Sequence, residues 1–289
     1  MYKQEGIRFP QKGLYTFFAL VKDTPRIWQT RRYQSWEMRM KMTLLQFFRE
    51  NPKAALAFSG GVDSAFLLYA AVHFGADVRA YYVKSAFQPQ FELEDARRLA
   101  KQLAVDLRIL EVDVLACGTI AANPSDRCYH CKKMIFSAIA QAAAGDGYQL
   151  LLDGTNASDD EGDRPGMRAL KELKVRSPLR ECGLTKEDIR SLSKEAGLFT
   201  WDKPAYACLA TRIPAGEMIT KEKLLTAEAS EAYLFSLGFT DFRVRRMGEA
   251  ARLQFPAGQL ERVISMREEI LTGLKQYYKA VLLDLEVRE

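Results

Sequence analysis

Residues 54–66 read Ala54-Ala55-Leu56-Ala57-Phe58-Ser59-Gly60-Gly61-Val62-Asp63-Ser64-Ala65-Phe66, and this stretch decides the fold. Its first five residues are an apolar run, the pattern of a strand buried on both faces. From Val62 to Phe74 apolar side chains recur nearly all round, which predicts a buried helix ended by Gly75. The serines and glycines between must turn the chain sharply. Glycines let backbone amides come close to an anion. The hydroxyls of Ser59 and Ser64 add donors, and a helix N-terminus adds partial positive charge. A tight turn with an N-cap serine would use the same residues without any ligand. No Gly-Lys-Ser/Thr ending follows, which excludes the phosphate loop of kinases and GTPases. The spaced glycines of a dinucleotide fingerprint are also missing.

Working outward, strands and helices alternate. Leu44–Glu50 reads as the end of a helix closed by Pro52, and Val78–Lys84 as a second strand. Glu92–Ala104 is an amphipathic helix, Leu107–Val112 a third strand, Lys132–Ala143 a helix and Leu150–Asp153 a fourth strand. Thr185 with Asp188 three residues on resembles a capping box opening a helix to Ala196. This alternation predicts an α/β domain, a parallel sheet with helices on both faces. After Gly216 the pattern changes to a helix over Lys221–Leu237, strands over Phe242–Met247 and Arg252–Phe255, a long helix over Gln259–Tyr278 and a strand over Ala280–Leu285. That is a smaller α+β module. The expected organisation is a basic, poorly ordered extension over 1–42, an α/β domain over 43–215 and an α+β substrate domain over 216–289, linked near 212–218.

Composition narrows the class. The 289 residues are 48 % hydrophobic and 27 % charged, ordinary for a globular chain, and no run of eighteen apolar residues could span a membrane. The net charge of +5 is concentrated: residues 1–42 hold nine Lys/Arg against three Asp/Glu, so the remainder is close to neutral. A general nucleic-acid surface is therefore not expected, since phosphate contacts need a basic face. Five cysteines do not make a disulfide framework, and a reducing cytoplasm is the expected compartment.

Ser59-Gly60-Gly61-Val62-Asp63-Ser64 after a buried strand resembles the pyrophosphate loop of the N-type ATP pyrophosphatases, the PP-loop superfamily. Further stretches narrow the resemblance: Asp153-Gly154-Thr155-Asn156-Ala157-Ser158-Asp159, Arg176-Ser177-Pro178-Leu179 and Lys203-Pro204-Ala205-Tyr206-Ala207-Cys208-Leu209-Ala210-Thr211-Arg212-Ile213-Pro214 are similar to LarE, from about residue 43 to the end. LarE enzymes are ATP-dependent sulfur transferases that build the nickel-pincer nucleotide cofactor. The resemblance implies adenylation of a pyridinium carboxylate mononucleotide, release of pyrophosphate, and displacement of AMP by sulfur. It implies a Rossmann-like PP-loop fold and a nucleotide site built from Ala57, Ser59, Gly60, Gly61, Asp63 and Ser64. Val83 and Lys84 would pass under the adenine, with Gly154 and Thr155 on the same rim. Asp63 would hold the magnesium that accompanies ATP, hard cations preferring carboxylate oxygen; as a first-turn acid it also suits the helix dipole. A homo-oligomer is expected.

Cys128-Tyr129-His130-Cys131 sits just before the predicted helix, and Cys208 follows eighty residues later. Thiols at i and i+3 share one side of a helical turn. Three readings compete: a [4Fe–4S] cluster on Cys128, Cys131 and Cys208 with one iron left open, a zinc site completed by His130, Cys182 or Cys117, or incidental thiols. The three-cysteine pattern resembles LarE members that use a cluster, whereas single-cysteine members sacrifice the sulfur at the position of Cys208. Either scheme puts Cys208 at the chemistry. Arg243 and Arg245, two apart in a predicted strand, leave one face and suit a phosphate monoester. Arginines in this stretch and a preceding glutamate line the LarE substrate site, which here implicates Glu231, with Glu228 nearby; Arg212 is a further phosphate candidate. The alternatives are tRNA thiolation or amide formation on the same scaffold, and a non-catalytic nucleotide sensor with structural zinc.

Overall fold

The computed structural model describes residues 43–159 and 165–288. The described residues all belong to one compact unit; the expectations for the extension over 1–42 lie outside the described residues. A helix over residues 43–50 (α1) leads into β1 (Lys53–Ala57), α2 (Val62–His73), β2 (Asp77–Lys84), α3 (Gln90–Gln102) and β3 (Leu107–Glu111). The one-turn α4 (Gly118–Ala121), α5 (Arg127–Gly145) and β4 (Leu151–Leu152) follow. The four strands pair in parallel in the order β3-β2-β1-β4, and a bridge from Leu152 to Arg176 extends the edge. Alternation along the strands explains the two-sided burial. Ala55, Tyr81, Val83 and Leu151 pack with Phe136 and Ile139 of α5, and the intervening Ala54, Leu56, Ala80 and Leu152 are all fully covered on the opposite face. The predicted α/β class holds.

α6 (Pro165–Glu172), α7 (Pro178–Glu181) and α8 (Lys186–Glu195) complete this part. α8 starts at the expected capping box, with Thr185 and Asp188 exchanging side-chain and backbone bonds. The second sheet contains β5 (Arg243–Met247), β6 (Ala250–Gln254) and β7 (Ala280–Leu283), in that order. α9 (Lys221–Ser236) precedes it and contributes Leu234 to its core beside Phe239, Phe242 and Phe255. The division proposed at 215/216 falls between the two sheets.

Two helices differ from expectation. The predicted helix over 259–278 is broken into α10 (Leu260–Ser265) and α11 (Arg267–Leu274) at Met266, whose backbone leaves the helical region at φ −97°, ψ 22°. Val263 and Ile270 on either side are buried in the same core, so the apolar spacing continues through the break and hides it. α5 begins at Arg127 rather than Lys132, placing both of its cysteines inside the helix. Its first turn lacks an apolar stripe because that face carries polar and sulfur groups.

Candidate functional site

The phosphate loop is built from steric necessity. Gly60 has φ +74°, and a Cβ there would lie 3.1 Å from the Glu92 carbonyl oxygen, so α3 closes on the loop only over a glycine. The Ser59 and Ser64 hydroxyls lie 3.1 Å apart, Gly61 N donates to Ser59 Oγ at 3.3 Å, and Ser64 Oγ donates to the Gly61 carbonyl at 3.2 Å. No side chain caps α2, whose first-turn amides face the turn. Gly154 is the second tight point: a Cβ would meet Ser64 N at 2.8 Å. Asp153 beside it is buried, accepting from Thr155 Oγ1 at 2.5 Å and Ser177 Oγ at 2.6 Å. Two of the quoted sequence stretches are thus joined. Asp63 takes Lys186 Nζ on Oδ2 at 2.6 Å, while its Oδ1 is buried with no hydrogen-bond partner among the described residues.

A cavity of about 650 Å³ opens over this loop. Ala57, Ser59, Gly61, Asp63 and Ser64 line one wall, and Gly154 and Thr155 continue it. The first turn of α5 also lines it, with Arg127, Cys128, Cys131 and Lys132, and so does Cys208. Cysteines eighty residues apart therefore share one cavity with the phosphate loop. All three are free thiols, Cys128 exposed and the others half-buried. Burial, then the neighbouring Cys208 and Cys128, pushes the Cys131 thiol up to about 12. Burial also raises Cys208, against the pull of the Arg127 guanidinium. Cys117 and Cys182 do not line the cavity, and His130 turns to Asp126 at 3.3 Å. Among the described residues no three His, Cys, Asp or Glu side chains converge on a single-ion position.

Three predicted nucleotide residues stand beside the cavity without lining it: Gly60, Val83 and Lys84. Val83 packs in the core behind β2, and Lys84 Nζ is bound to the Gln88 carbonyl at 2.7 Å. The rim is instead presented by Phe87 and Gln88, in the turn after β2.

The four predicted substrate residues sit outside this cavity and are spoken for. Arg212 and Glu231 are each 1 % exposed, paired through Nε–Oε1 at 2.7 Å and Nη2–Oε2 at 3.0 Å. Glu231 also accepts from Tyr206 OH and from Val244 N, the latter at 2.9 Å. Arg212 Nη1 reaches the Ala207 carbonyl at 3.1 Å, Arg245 Nη1 the Thr211 carbonyl at 2.7 Å, and Arg243 Nη2 the Ala205 carbonyl. The arginines grip the segment that carries Cys208. Burial, then the charge of Arg212, lowers Arg243 to about 10. Sequence reasoning missed Gln88, Arg127, Lys132 and Lys186. Adjacency to the cysteines was a usable signal for Arg127 and Lys132; nothing in the sequence marked the other two.

A parallel sheet carrying this glycine loop, with ligand-facing groups at the carboxyl ends of β1, β2 and β4, defines an enzyme of the PP-loop ATP pyrophosphatase class. A family profile described as Queuosine biosynthesis protein QueC matches residues 53–124, the loop and the strands flanking it. Over 248 residues the chain is 33 % identical to pyridinium-3,5-bisthiocarboxylic acid mononucleotide synthase of Lactiplantibacillus plantarum, covering 85 % of this chain and 90 % of that protein. An uncharacterized protein of Synechocystis is 37 % identical over 84 % of this chain and 92 % of its own length. A tRNA-specific 2-thiouridylase of Fervidobacterium nodosum is 27 % identical over about half of each chain. The chain belongs to the LarE family, that of the mononucleotide synthase.

Proposed function

We propose that this protein uses ATP to adenylate the carboxyl group of a pyridinium carboxylate mononucleotide and replaces the activated oxygen with sulfur, yielding a thiocarboxylate, AMP and pyrophosphate in nickel-pincer cofactor biosynthesis. The observation that carries this reading is the single cavity lined by both the phosphate loop and three cysteines. Adenylation needs a place for departing pyrophosphate, and sulfur transfer needs a thiol or sulfide beside the acyl adenylate. The cavity offers both.

The loop amides and the open first turn of α2 hold negative charge that grows on the leaving pyrophosphate. Asp63 Oδ1, buried and without a partner, is the atom we assign to magnesium, while Lys186 fixes the carboxylate through Oδ2. Magnesium there supplies charge neutralisation along the phosphates. Arg127 faces the cysteines and holds the Ala210 carbonyl at 3.2 Å, so one guanidinium steadies the Cys208 segment and eases formation of its thiolate. Arg243 and Arg245 stand as our assignment for the substrate phosphate.

The donor set fits an iron–sulfur cluster better than mononuclear zinc. Three thiols line one cavity, and among the described residues no fourth ligand joins them on a single-ion position. A [4Fe–4S] cluster does not require convergence, since each cysteine binds a separate iron. Cys128, Cys131 and Cys208 would hold such a cluster, which would supply iron for exogenous sulfide. The alternative source is the Cys208 side-chain sulfur itself. The free thiols suit a reducing cytoplasm, and the family resemblance supports a homo-oligomer.

Anaerobic purification with iron, sulfide and zinc analysis, on the unsubstituted protein and Cys131→Ala, separates these sources. About four iron and four sulfide per chain, lost in the variant, supports the cluster. Absence of metal with a mass loss of about 34 Da at Cys208, roughly that of H₂S, supports the sacrificial route. Stoichiometric zinc refutes both. Cys208→Ala is expected to abolish thiocarboxylate formation while pyrophosphate exchange persists; equal loss of both would make Cys208 structural.

A further inference from the structure

The turn that follows β2 holds a side chain whose orientation is dictated by its neighbours. Ser85 N approaches Gln88 Oε1 at 3.1 Å, and Ser85 Oγ lies 2.6 Å from the same atom. A backbone N–H only donates, so the carboxamide atom facing it must be the oxygen. The Gln88 amide nitrogen is thereby turned away from the turn. Nε2 has no protein partner among the described residues, although Gln88 is half-buried and lines the cavity. The turn itself is held firmly: Lys84 Nζ binds the Gln88 carbonyl at 2.7 Å, and Phe87 N donates to Ser85 Oγ at 3.2 Å.

Its position is equally specific. Leu209 N donates to the Phe87 carbonyl at 2.9 Å, so the turn is bonded directly to the residue after Cys208. Gln88 therefore lies next to the cysteine segment, in a cavity whose other wall is the phosphate loop. An acyl carbon joined to an AMP phosphate and attacked by sulfur has to lie between those walls.

We propose that Gln88 is a further catalytic residue, its fixed amide donating to the acyl oxygen as sulfur attacks. This rests on the sulfur-transfer reading above. In that step a sulfur lone pair forms the C–S bond while the C=O π pair moves onto oxygen. On collapse the pair returns to re-form C=O, and the bond from carbon to the phosphate oxygen breaks, that pair leaving with AMP. The charge on oxygen exists only between these events. A donor held in place beforehand stabilises it without reorganisation, and removing one such donor lowers the rate by about 10²–10³-fold.

Two substitutions test this. Gln88→Glu keeps an oxygen for Ser85 and turns a second oxygen, instead of a donor, toward the cavity. Gln88→Met removes the donor without adding charge. Both are compared with the unsubstituted protein using ATP, magnesium and pyridinium-3,5-biscarboxylic acid mononucleotide, reading pyrophosphate exchange for adenylation and single-turnover thiocarboxylate by mass. The proposal expects sulfur transfer to fall about 10²-fold or more in both variants, with exchange falling less than tenfold and the ATP concentration for half-maximal exchange unchanged in Gln88→Met. Loss in Gln88→Glu alone overturns it, the effect then being charge repulsion. A raised ATP requirement, or GTP supporting exchange in Gln88→Met, also overturns it and makes Gln88 a reader of the base. Exchange with undiminished sulfur transfer in both variants overturns the proposal alone. Absence of exchange in the unsubstituted protein overturns the adenylation reading itself.

Discussion

Glu231→Gln is expected to destabilise the protein by about 3–5 kcal/mol, the cost of removing one partner from a buried ion pair. The environment sets this magnitude. Glu231 and Arg212 are each 1 % exposed, and the carboxylate meets four donors: Arg212 Nε at 2.7 Å, Arg212 Nη2 at 3.0 Å, Val244 N at 2.9 Å and Tyr206 OH. A glutamine offers one oxygen and turns an N–H toward a remaining donor. Arg212 is left charged, since a guanidinium does not release its proton here. For a unit of this size each kcal/mol moves the melting temperature by roughly 2–4 °C, so a fall of about 6–20 °C is expected. Urea titration and thermal melting, both without ligand, measure it. Arg212→Met alone should cost a similar amount by stranding the carboxylate, and the double variant should recover most of the loss, a coupling that adjacent groups show and independent ones do not. A Glu231→Gln protein within 1 kcal/mol of the parent would refute the argument. Unchanged melting with lost sulfur transfer would make Glu231 a substrate-contacting group instead.

Gly154→Ala should cost about 1–3 kcal/mol by overpacking, because the new Cβ lies 2.8 Å from Ser64 N and backbone cannot step aside cheaply. Isothermal titration should show weakened ATP binding in the same variant, and unchanged affinity would show that the loop tolerates displacement. Asp63→Asn should abolish the magnesium dependence of pyrophosphate exchange and lower its rate by at least about 10²-fold; an unaltered magnesium titration would place the metal elsewhere. Glu92 is held at about 7 by burial, only partly offset by Lys203, against an ordinary 4.5. The folded state therefore binds its proton more tightly than the unfolded chain, so stability is fully present below about 4.5 and is lost as pH rises to about 7. Glu92→Gln should gain up to about 3 kcal/mol over the parent at pH 8 and nothing at pH 4.5, read from urea midpoints; a pH-independent difference would refute the assignment.

What could be read in the sequence was what is decided locally. The strand, glycine loop and helix over 54–74 need only neighbouring residues to declare themselves, and the capping box at Thr185 is a four-residue object. The start of α5 was not legible because Arg127 is buried by polar contacts, to Asn123 four residues back and to the distant Ala210 carbonyl, that no amphipathic pattern records. The break at Met266 was hidden by apolar spacing that serves the core on both sides of it. Gln88 is one polar residue in a loop. Its significance comes from which atom Ser85 selects, which is a matter of geometry rather than composition.

The arginines of the second sheet carry the same lesson into the chemistry. Arg243 and Arg245 share one face of β5, as the strand period requires, and their spacing is that of a phosphate clamp. Both donate to the cysteine segment, at Ala205 and Thr211, with Arg212 between them at Ala207. Three guanidiniums thus hold carbonyls on either side of Cys208, and Arg243 is lowered first by burial and then by the charge of Arg212. Glu231 and Asp241 both oppose the positive charge at Arg243. If a substrate phosphate binds there, as proposed, any guanidinium it draws away would release a carbonyl of the segment that carries Cys208. Binding energy at the phosphate would then be spent in part on the placement of Cys208, since a group serving two contacts necessarily couples them.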